Sequence, residues 1–196
     1  MEAVIVDYGG ANLASLMYAF ERLGARAHLS REARTIAAAP RVVLPGVGAA
    51  AHAMERLRGA GLPGVLRALT QPVLGVCLGM QLLFERSEEG GTACLGLLPD
   101  AVQRLKAAPG RPVPHMGWNE LTCVRGDPLL EGVAAGDYAY FVHGYAAPVG
   151  AHTLASTEYG EPLAAVVRRN NFCGTQFHPE RSAHTGARLL ENFLRL

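Results

Sequence analysis

Three residues of this chain have the types and order needed for thiol chemistry on an amide. Residues 72–81 read Pro-Val-Leu-Gly-Val-Cys-Leu-Gly-Met-Gln, a short apolar run with glycines two positions to either side of Cys77. That spacing predicts a nucleophile elbow, a tight strand-to-helix turn that lifts a thiol out of a sheet where backbones approach closely. At a helix N-terminus, unpaired amides and the helix dipole favour thiolate over thiol. Far downstream, Gln176-Phe177-His178-Pro179-Glu180 supplies a base and a carboxylate to orient it. Together they predict a Cys77, His178, Glu180 hydrolytic triad. The thiolate attacks an amide carbonyl, the imidazolium protonates the departing amine, and water activated by the same imidazole clears the thioester.

Such a reaction also needs donors for an oxyanion. The amide of Leu78, next after the nucleophile, is one by analogy with other elbows. Gly46-Val47-Gly48 forms a glycine-rich loop that could present a second, through a peptide flip that glycine makes inexpensive. Taken singly, each feature has an ordinary explanation: a buried structural cysteine, a surface histidine, a solvated glutamate, a plain loop. Their joint occurrence in this order points to a site.

The elements that must position these residues alternate. Residues 3–8 are an apolar run bounded by Gly9-Gly10, and Asn12 can cap a helix through Leu13, Leu16, Met17, Phe20 and Leu23 to Gly24. Residues 26–29 and 41–44 read as strands, the latter ended by Pro45-Gly46-Val47-Gly48. Residues 49–58 and 65–69 read as helices, and the stretch Met80-Gln81-Leu82-Leu83-Phe84-Glu85 as an amphipathic segment after the elbow. This pattern predicts an α/β fold of three layers, with helices on both faces of a mostly parallel central sheet whose functional loops lie at the carboxyl ends of its strands. Between Gly90 and Gly174, residues 120–124, 138–145, 153–157 and 163–167 read as short strands, antiparallel additions to that sheet. Residues 172–177 form a strand that delivers His178, and residues 183–196 a closing amphipathic helix.

Composition limits the class. With 196 residues, 49% of them hydrophobic, the chain is expected to form one domain over residues 1–196. Eighteen basic and seventeen acidic residues leave a formal charge of +1, and no basic stripe with interleaved aromatics suggests nucleic acid. No apolar run reaches the roughly 18 residues that span a bilayer, and the first residues enter a strand without the basic region of a signal peptide. A cytoplasmic enzyme is expected. Cys77, Cys94, Cys123 and Cys173 never form a Cys-x-x-Cys pair, so neither a metal nor a redox site is expected, and no dinucleotide fingerprint or other cofactor motif is present.

Gly75-Val76-Cys77-Leu78-Gly79-Met80-Gln81 and Phe177-His178-Pro179-Glu180 resemble the nucleophile and His-Glu motifs of the class I glutamine amidotransferases, a flavodoxin-like fold, over essentially the whole chain. The resemblance implies a glutaminase acting on L-glutamine, with Cys77 as nucleophile, His178 as acid and base, Glu180 as orienter, and Gln81 at a position that contacts the substrate. Val6-Asp7-Tyr8-Gly9 with Asn12, Leu13 and Ser15, then Val113-Pro114-His115-Met116-Gly117-Trp118-Asn119, Tyr140-Phe141-Val142-His143 and Gln176–Ser182, are further similar to the glutaminase subunits of imidazole glycerol phosphate synthase. That family implies a heterodimer in histidine biosynthesis, in which a (β/α)₈-barrel cyclase subunit uses the ammonia. It further implies a docking rim at Asn12, Met116, Trp118, Tyr138 and Arg181. Three positions depart from the family: Ala11 stands where glycine is usual, Gly144 follows His143 where serine is common, and Arg181 replaces a lysine. Arginine keeps the charge with a different hydrogen-bond geometry.

Other readings remain at this level. A glutaminase of anthranilate, aminodeoxychorismate or pyridoxal phosphate synthesis is opposed by Met80 and residues 113–119. A cysteine peptidase on a similar sheet is opposed by Gln81 and the His-Pro-Glu spacing, and a non-catalytic module by the intact triad. For Trp118, a core aromatic and an interface anchor are both open.

Overall fold

Runs of Val, Ile and Leu build the centre of the molecule, and their alternation decides which helices cover which face. The computed structural model describes residues 1–9 and 13–196, so Ala11 and the proposed helix cap and rim residue Asn12 lie outside the described residues. In chain order the strands are β1 (Glu2–Val6), β2 (Arg26–Ser30), β3 (Val42–Leu44), β4 (Val73–Val76), β5 (Arg86–Ser87), β6 (Thr92–Ala93), β7 (Ala101–Arg104), β8 (His115–Glu120), β9 (Cys123–Val124), β10 (Tyr138–His143), β11 (Tyr145–Ala146), β12 (Thr153–Glu158), β13 (Pro162–Arg169) and β14 (Phe172–Thr175). The helices are α1 (Leu13–Arg22), α2 (Ala33–Ala38), α3 (Ala50–Gly59), α4 (Leu62–Arg67), α5 (Leu78–Gln81) and α6 (Ala183–Arg195).

The main sheet has the order β2-β1-β3-β4-β14-β13-β12-β9. Its first five strands run parallel, and β13, β12 and β9 are added antiparallel. Successive strand residues face opposite sides. Ala3, Ile5, Val43 and Leu74 pack with Leu16 and Phe20 of α1 and with Leu189, Leu190 and Phe193 of α6. Val4, Val6, Val42, Leu44 and Val73 pack with Ile36 of α2, Met54 and Leu57 of α3 and Leu62 and Leu66 of α4. The result is the three-layer α/β arrangement expected.

Two local expectations are corrected, and one helix joins those read from the sequence. The amphipathic run to Glu85 is helical only as far as Gln81. The carbonyls of Leu82, Leu83 and Phe84 are instead taken by the amides of Leu95, Leu98 and Gly96 at 2.8–2.9 Å, which satisfies them without a further helical turn. Residues 115–120 form a strand, β8, that pairs only with β10 in a separate two-stranded ribbon, so β10 is not an addition to the main sheet. Helix α2 carries one buried side chain, Ile36, too weak an apolar pattern to be read from sequence.

The glycines of the elbow serve close approach, since neither Gly75 nor Gly79 is among the residues with positive φ. A Cβ on Gly79 would lie 1.8 Å from the carbonyl oxygen of Leu44 at the end of β3, and one on Gly75 would lie 2.7 Å from the backbone of Gly79 and Met80. These neighbours are backbone, with no side-chain rotation to relieve the clash. Gly79→Ala is therefore expected to cost about 3 kcal/mol or prevent folding, whereas Gly59→Ala, where the added Cβ meets nothing, should cost far less. Urea unfolding of both variants checks this.

Candidate active site

Strand β4 is wholly buried and leads directly into Cys77, which adopts φ 53° and ψ −111° before α5 begins. A non-glycine residue in this region carries about 1–3 kcal/mol of strain, sustained only where neighbours enforce it. Here the Cys77 amide donates to Thr175 O at 2.8 Å, and Gly46 packs so closely on the elbow that a Cβ there would be 2.7 Å from the Gly79 nitrogen. The thiol is thus turned away from the sheet at its carboxyl edge. Because α5 is a single turn, it offers Cys77 unpaired amides rather than the field of a long helix.

Strand β14 pairs parallel with β4, Thr175 opposite Val76, so Gln176, Phe177 and His178 emerge beside the elbow. A 3₁₀ turn over Pro179–Arg181 then folds Glu180 back. His178 Nδ1 donates to Glu180 Oε1 at 2.8 Å, which leaves Nε2 for the cavity. Both side chains are about nine-tenths buried. Burial alone would lower the His178 pKa, but hydrogen bonding to Cys77 and Glu180 and their negative charges outweigh it and raise it from 6.5 to about 10. Against those two anions the imidazolium is stabilised, so a proton passed to it from the Cys77 thiol is retained.

Cys77, Leu78, Gln81, Val47, Gly48 and His178 line one cavity of about 220 Å³, together with Glu89, Val142, His143, Gly144 and Tyr145. Gly48 has φ +86°, a conformation open to glycine and costly to other residues. Gly46 supports the loop from behind against Leu78 and Tyr8. A larger cavity of about 640 Å³ beside Asp127 and Leu130 contains neither a nucleophile nor a base of the triad. Size does not choose the site here; chemistry does.

Several residues around the cavity had no role in the sequence reading. Tyr8 donates to Pro45 O at 2.8 Å, tying down the loop, and burial, with the Cys77 charge next, holds its hydroxyl pKa well above the ordinary value. Glu89 places a carboxylate at the cavity wall, where Oε2 also accepts from the Ala50 amide at 2.7 Å. Gln81 does line the cavity, but its Nε2 donates to Tyr145 O at 2.8 Å and to Gln176 Oε1 at 2.9 Å, so only its Oε1 is left for a ligand. No spacing signal links Gln81 to Gln176 or Tyr145, because they meet only when the sheet forms.

A buried pair of histidines continues this network. His143 donates from Nδ1 to Tyr145 O at 2.9 Å, a carbonyl that can only accept. Its Nε2 then accepts from His115 Nδ1 at 3.0 Å, and His115 Nε2 faces Asn119 Nδ2 at 3.3 Å. Both rings are neutral in this assignment. Burial lowers the His115 pKa to about 4, and burial with the adjacent His115 lowers that of His143 to about 3.

The rim residues sit on the outer face of the ribbon. Met116, Trp118 and Tyr138 are 63%, 52% and 54% exposed, while His115, Ala139, Phe141 and His143 point inward. The Arg181 guanidinium lies 4.6 Å from the centre of the Tyr140 ring, whose edge meets Trp118. Trp118 is not a core aromatic.

Fold and site together define a class I glutamine amidotransferase. The family model with the description Glutamine amidotransferase class-I matches residues 4–196. The imidazole glycerol phosphate synthase subunit HisH of Xanthomonas axonopodis pv. citri (strain 306) is 55% identical over 195 residues, covering 100% of this chain and 98% of that protein. The HisH subunit of Xylella fastidiosa (strain Temecula1 / ATCC 700964) is 53% identical over the same shares. A crystal structure of a glutamine amidotransferase shares the fold with a TM-score of 0.76, at 20% identity and over 98% of this chain and 97% of that one. A glutamine amidotransferase from Thermotoga maritima does so with a TM-score of 0.66, at 17% identity over 100% and 83%. The chain belongs to the HisH family of this class.

The two sets of histidines predict a stability optimum. His115 and His143 bind protons in the unfolded chain but not in the native one between their folded values and 6.5, so stability falls as pH drops below 6.5 toward 4. His178 has the opposite sign: its contribution is complete below 6.5 and is lost as pH rises through about 10. Urea midpoints should fall on both sides of the neutral region, and in Glu180→Gln the His178 titration seen by NMR should move below 10. An unmoved His178 midpoint would remove Glu180 as a cause.

Proposed function

We propose that this chain is the glutaminase subunit of an imidazole glycerol phosphate synthase, and that Cys77, His178 and Glu180 hydrolyse L-glutamine to glutamate and ammonia. A separate (β/α)₈-barrel cyclase subunit would use that ammonia to form imidazole glycerol phosphate and aminoimidazole carboxamide ribotide in histidine biosynthesis. The supporting observation is that Cys77 and an imidazole already oriented by a buried carboxylate share one small cavity at the carboxyl edge of the sheet.

The protonation state of His178 suits the reaction. Thiolate attack on the substrate amide forms the thioester and consumes the negative charge on sulfur. That charge is one cause of the raised His178 pKa, so its loss frees the proton for the departing ammonia. The neutral imidazole then takes a proton from water, which clears the thioester. Leu78 and the Gly46-Val47-Gly48 loop supply oxyanion donors, with the loop pinned at Pro45 by Tyr8. If hydrolysis is slow without the partner, realignment of this loop is the step the partner controls.

Glu89 suits the α-ammonium group of a free amino acid, being the only carboxylate on the cavity wall among the described residues. A small cleft of about 220 Å³ suits a free amino acid such as glutamine. The ribbon face of Met116, Trp118 and Tyr138, with Arg181, forms the docking surface, joined to the cavity through Val142. Asn12 belongs to the same proposed rim but lies outside the described residues. No helix of the described residues is long and apolar enough to cross a membrane, which accords with a cytoplasmic enzyme. The mechanism calls on no metal or cofactor.

Cys77→Ala should abolish glutamine hydrolysis and glutamine-dependent synthesis while synthesis from added ammonium salts persists in the complex; retained glutamine turnover would sink the assignment. Arg181→Ala should weaken the complex about tenfold while changing unfolding free energy by less than about 1 kcal/mol, since it removes an exposed stacking contact. Titration calorimetry against the barrel subunit, alongside urea unfolding, checks both.

A further inference from the structure

We infer that Gln176 is a catalytic residue whose side-chain N–H donates to Cys77 Sγ and stabilises the sulfur as it becomes charged. The inference rests on Cys77 being the nucleophile. Gln176 is fully buried between the end of β14 and His178, and its Nε2 lies 3.7 Å from Sγ, within reach for a hydrogen bond to sulfur.

The orientation of this amide follows from its neighbours. Tyr145 O can only accept, so the Gln81 atom 2.8 Å from it is the donor Nε2. That nitrogen also stands 2.9 Å from Gln176, which must answer with its acceptor, Oε1. The Gln176 NH₂ group is thereby turned toward the sulfur. A flipped Gln176 would set donor against donor at Gln81 and leave an oxygen facing a developing thiolate.

Both protonation states of the sulfur are then served. As a thiol, Cys77 donates to Val142 O at 3.8 Å. On activation the proton passes from Sγ to His178 Nε2, the bonding pair stays on sulfur, and no electron is gained or lost. The Val142 carbonyl now opposes the negative charge, and the Gln176 N–H offsets it from a position already set before the reaction begins. Gln81 is correspondingly a positioning residue, since its N–H groups hold the amide that contacts the nucleophile.

The test compares Gln176→Met, which keeps length but has no donor, and Gln176→Glu, which presents an anion, in the full chain with the cyclase subunit. For a lost hydrogen bond to a charged group, kcat for glutamine hydrolysis should fall about 10- to 100-fold with KM changed less than about twofold. The pH profile of Cys77 alkylation by iodoacetamide, followed by intact mass, should move to higher pH, further for the glutamate. A folded Gln176→Met with wild-type kcat and an unmoved alkylation profile overturns the inference. Should the variants not fold, the side-chain NH₂ resonance of Gln176 in the unsubstituted protein decides: it should shift as Cys77 ionises and change on alkylation, and an indifferent resonance overturns the inference. Cys77→Ala separates this from the underlying reading, because retained glutamine turnover in that variant rejects the nucleophile itself, whereas its loss beside indifferent Gln176 variants rejects only the role of Gln176.

Discussion

Parallel pairing of β4 with β14 is the contact on which the rest of the molecule depends. Val76 opposite Thr175 brings two strands distant in sequence to a common carboxyl edge, so Cys77 leaves one strand where Gln176 and His178 leave the next. Loop closure over so much chain is costly, and the buried aliphatic faces of the sheet must offset it. What the pairing gains is geometric. Side chains on adjacent strand ends are held by a hydrogen-bond ladder, not by loops, and the strained backbone of Cys77 is enforced from three sides, by Thr175 O, by the Gly46 loop and by the end of β3 against Gly79.

Burial then acts on three histidines with opposite results. The anions of Glu180 and of ionised Cys77 favour the protonated form of His178; His143 and His115 hydrogen-bond to each other, a carbonyl and an amide, with no anion beside them, and are held neutral. One desolvated environment therefore carries a charged acid beside an uncharged hydrogen-bond chain. The chain runs from Asn119 on β8 through both rings to Tyr145 O, the carbonyl that also fixes Gln81. The ribbon that presents Met116 and Trp118 outward thus carries on its inner face a histidine pair linked to the Tyr145 carbonyl that holds Gln81.

Much of this was legible in the sequence. The apolar runs at residues 3–8, 41–44 and 72–76 marked parallel strands, and Gly-x-Cys-x-Gly with His-Pro-Glu marked residues that the fold brings to one cavity, because strand burial and elbow sterics leave local traces in residue type. The ribbon was less legible. Residues 115–120 contain His, Gly, Trp and Asn, which read poorly as a strand because one face is exposed to solvent and the other carries a polar network. The short elbow helix also misled, since Leu82, Leu83 and Phe84 have a helical pattern, yet their carbonyls are claimed by residues 95–98.

By itself the sequence determined the layers of the fold and the family, and it singled out Cys77 and His178 as the proposed nucleophile and base, since each rests on residue type at short spacing. Only the tertiary structure decided the protonation of the histidines, the exposure of Trp118, the place of Glu89 in the cavity and the direction in which the amides of Gln81 and Gln176 point. These depend on desolvation and on donors and acceptors supplied by other strands. Neither quantity exists until the chain has folded.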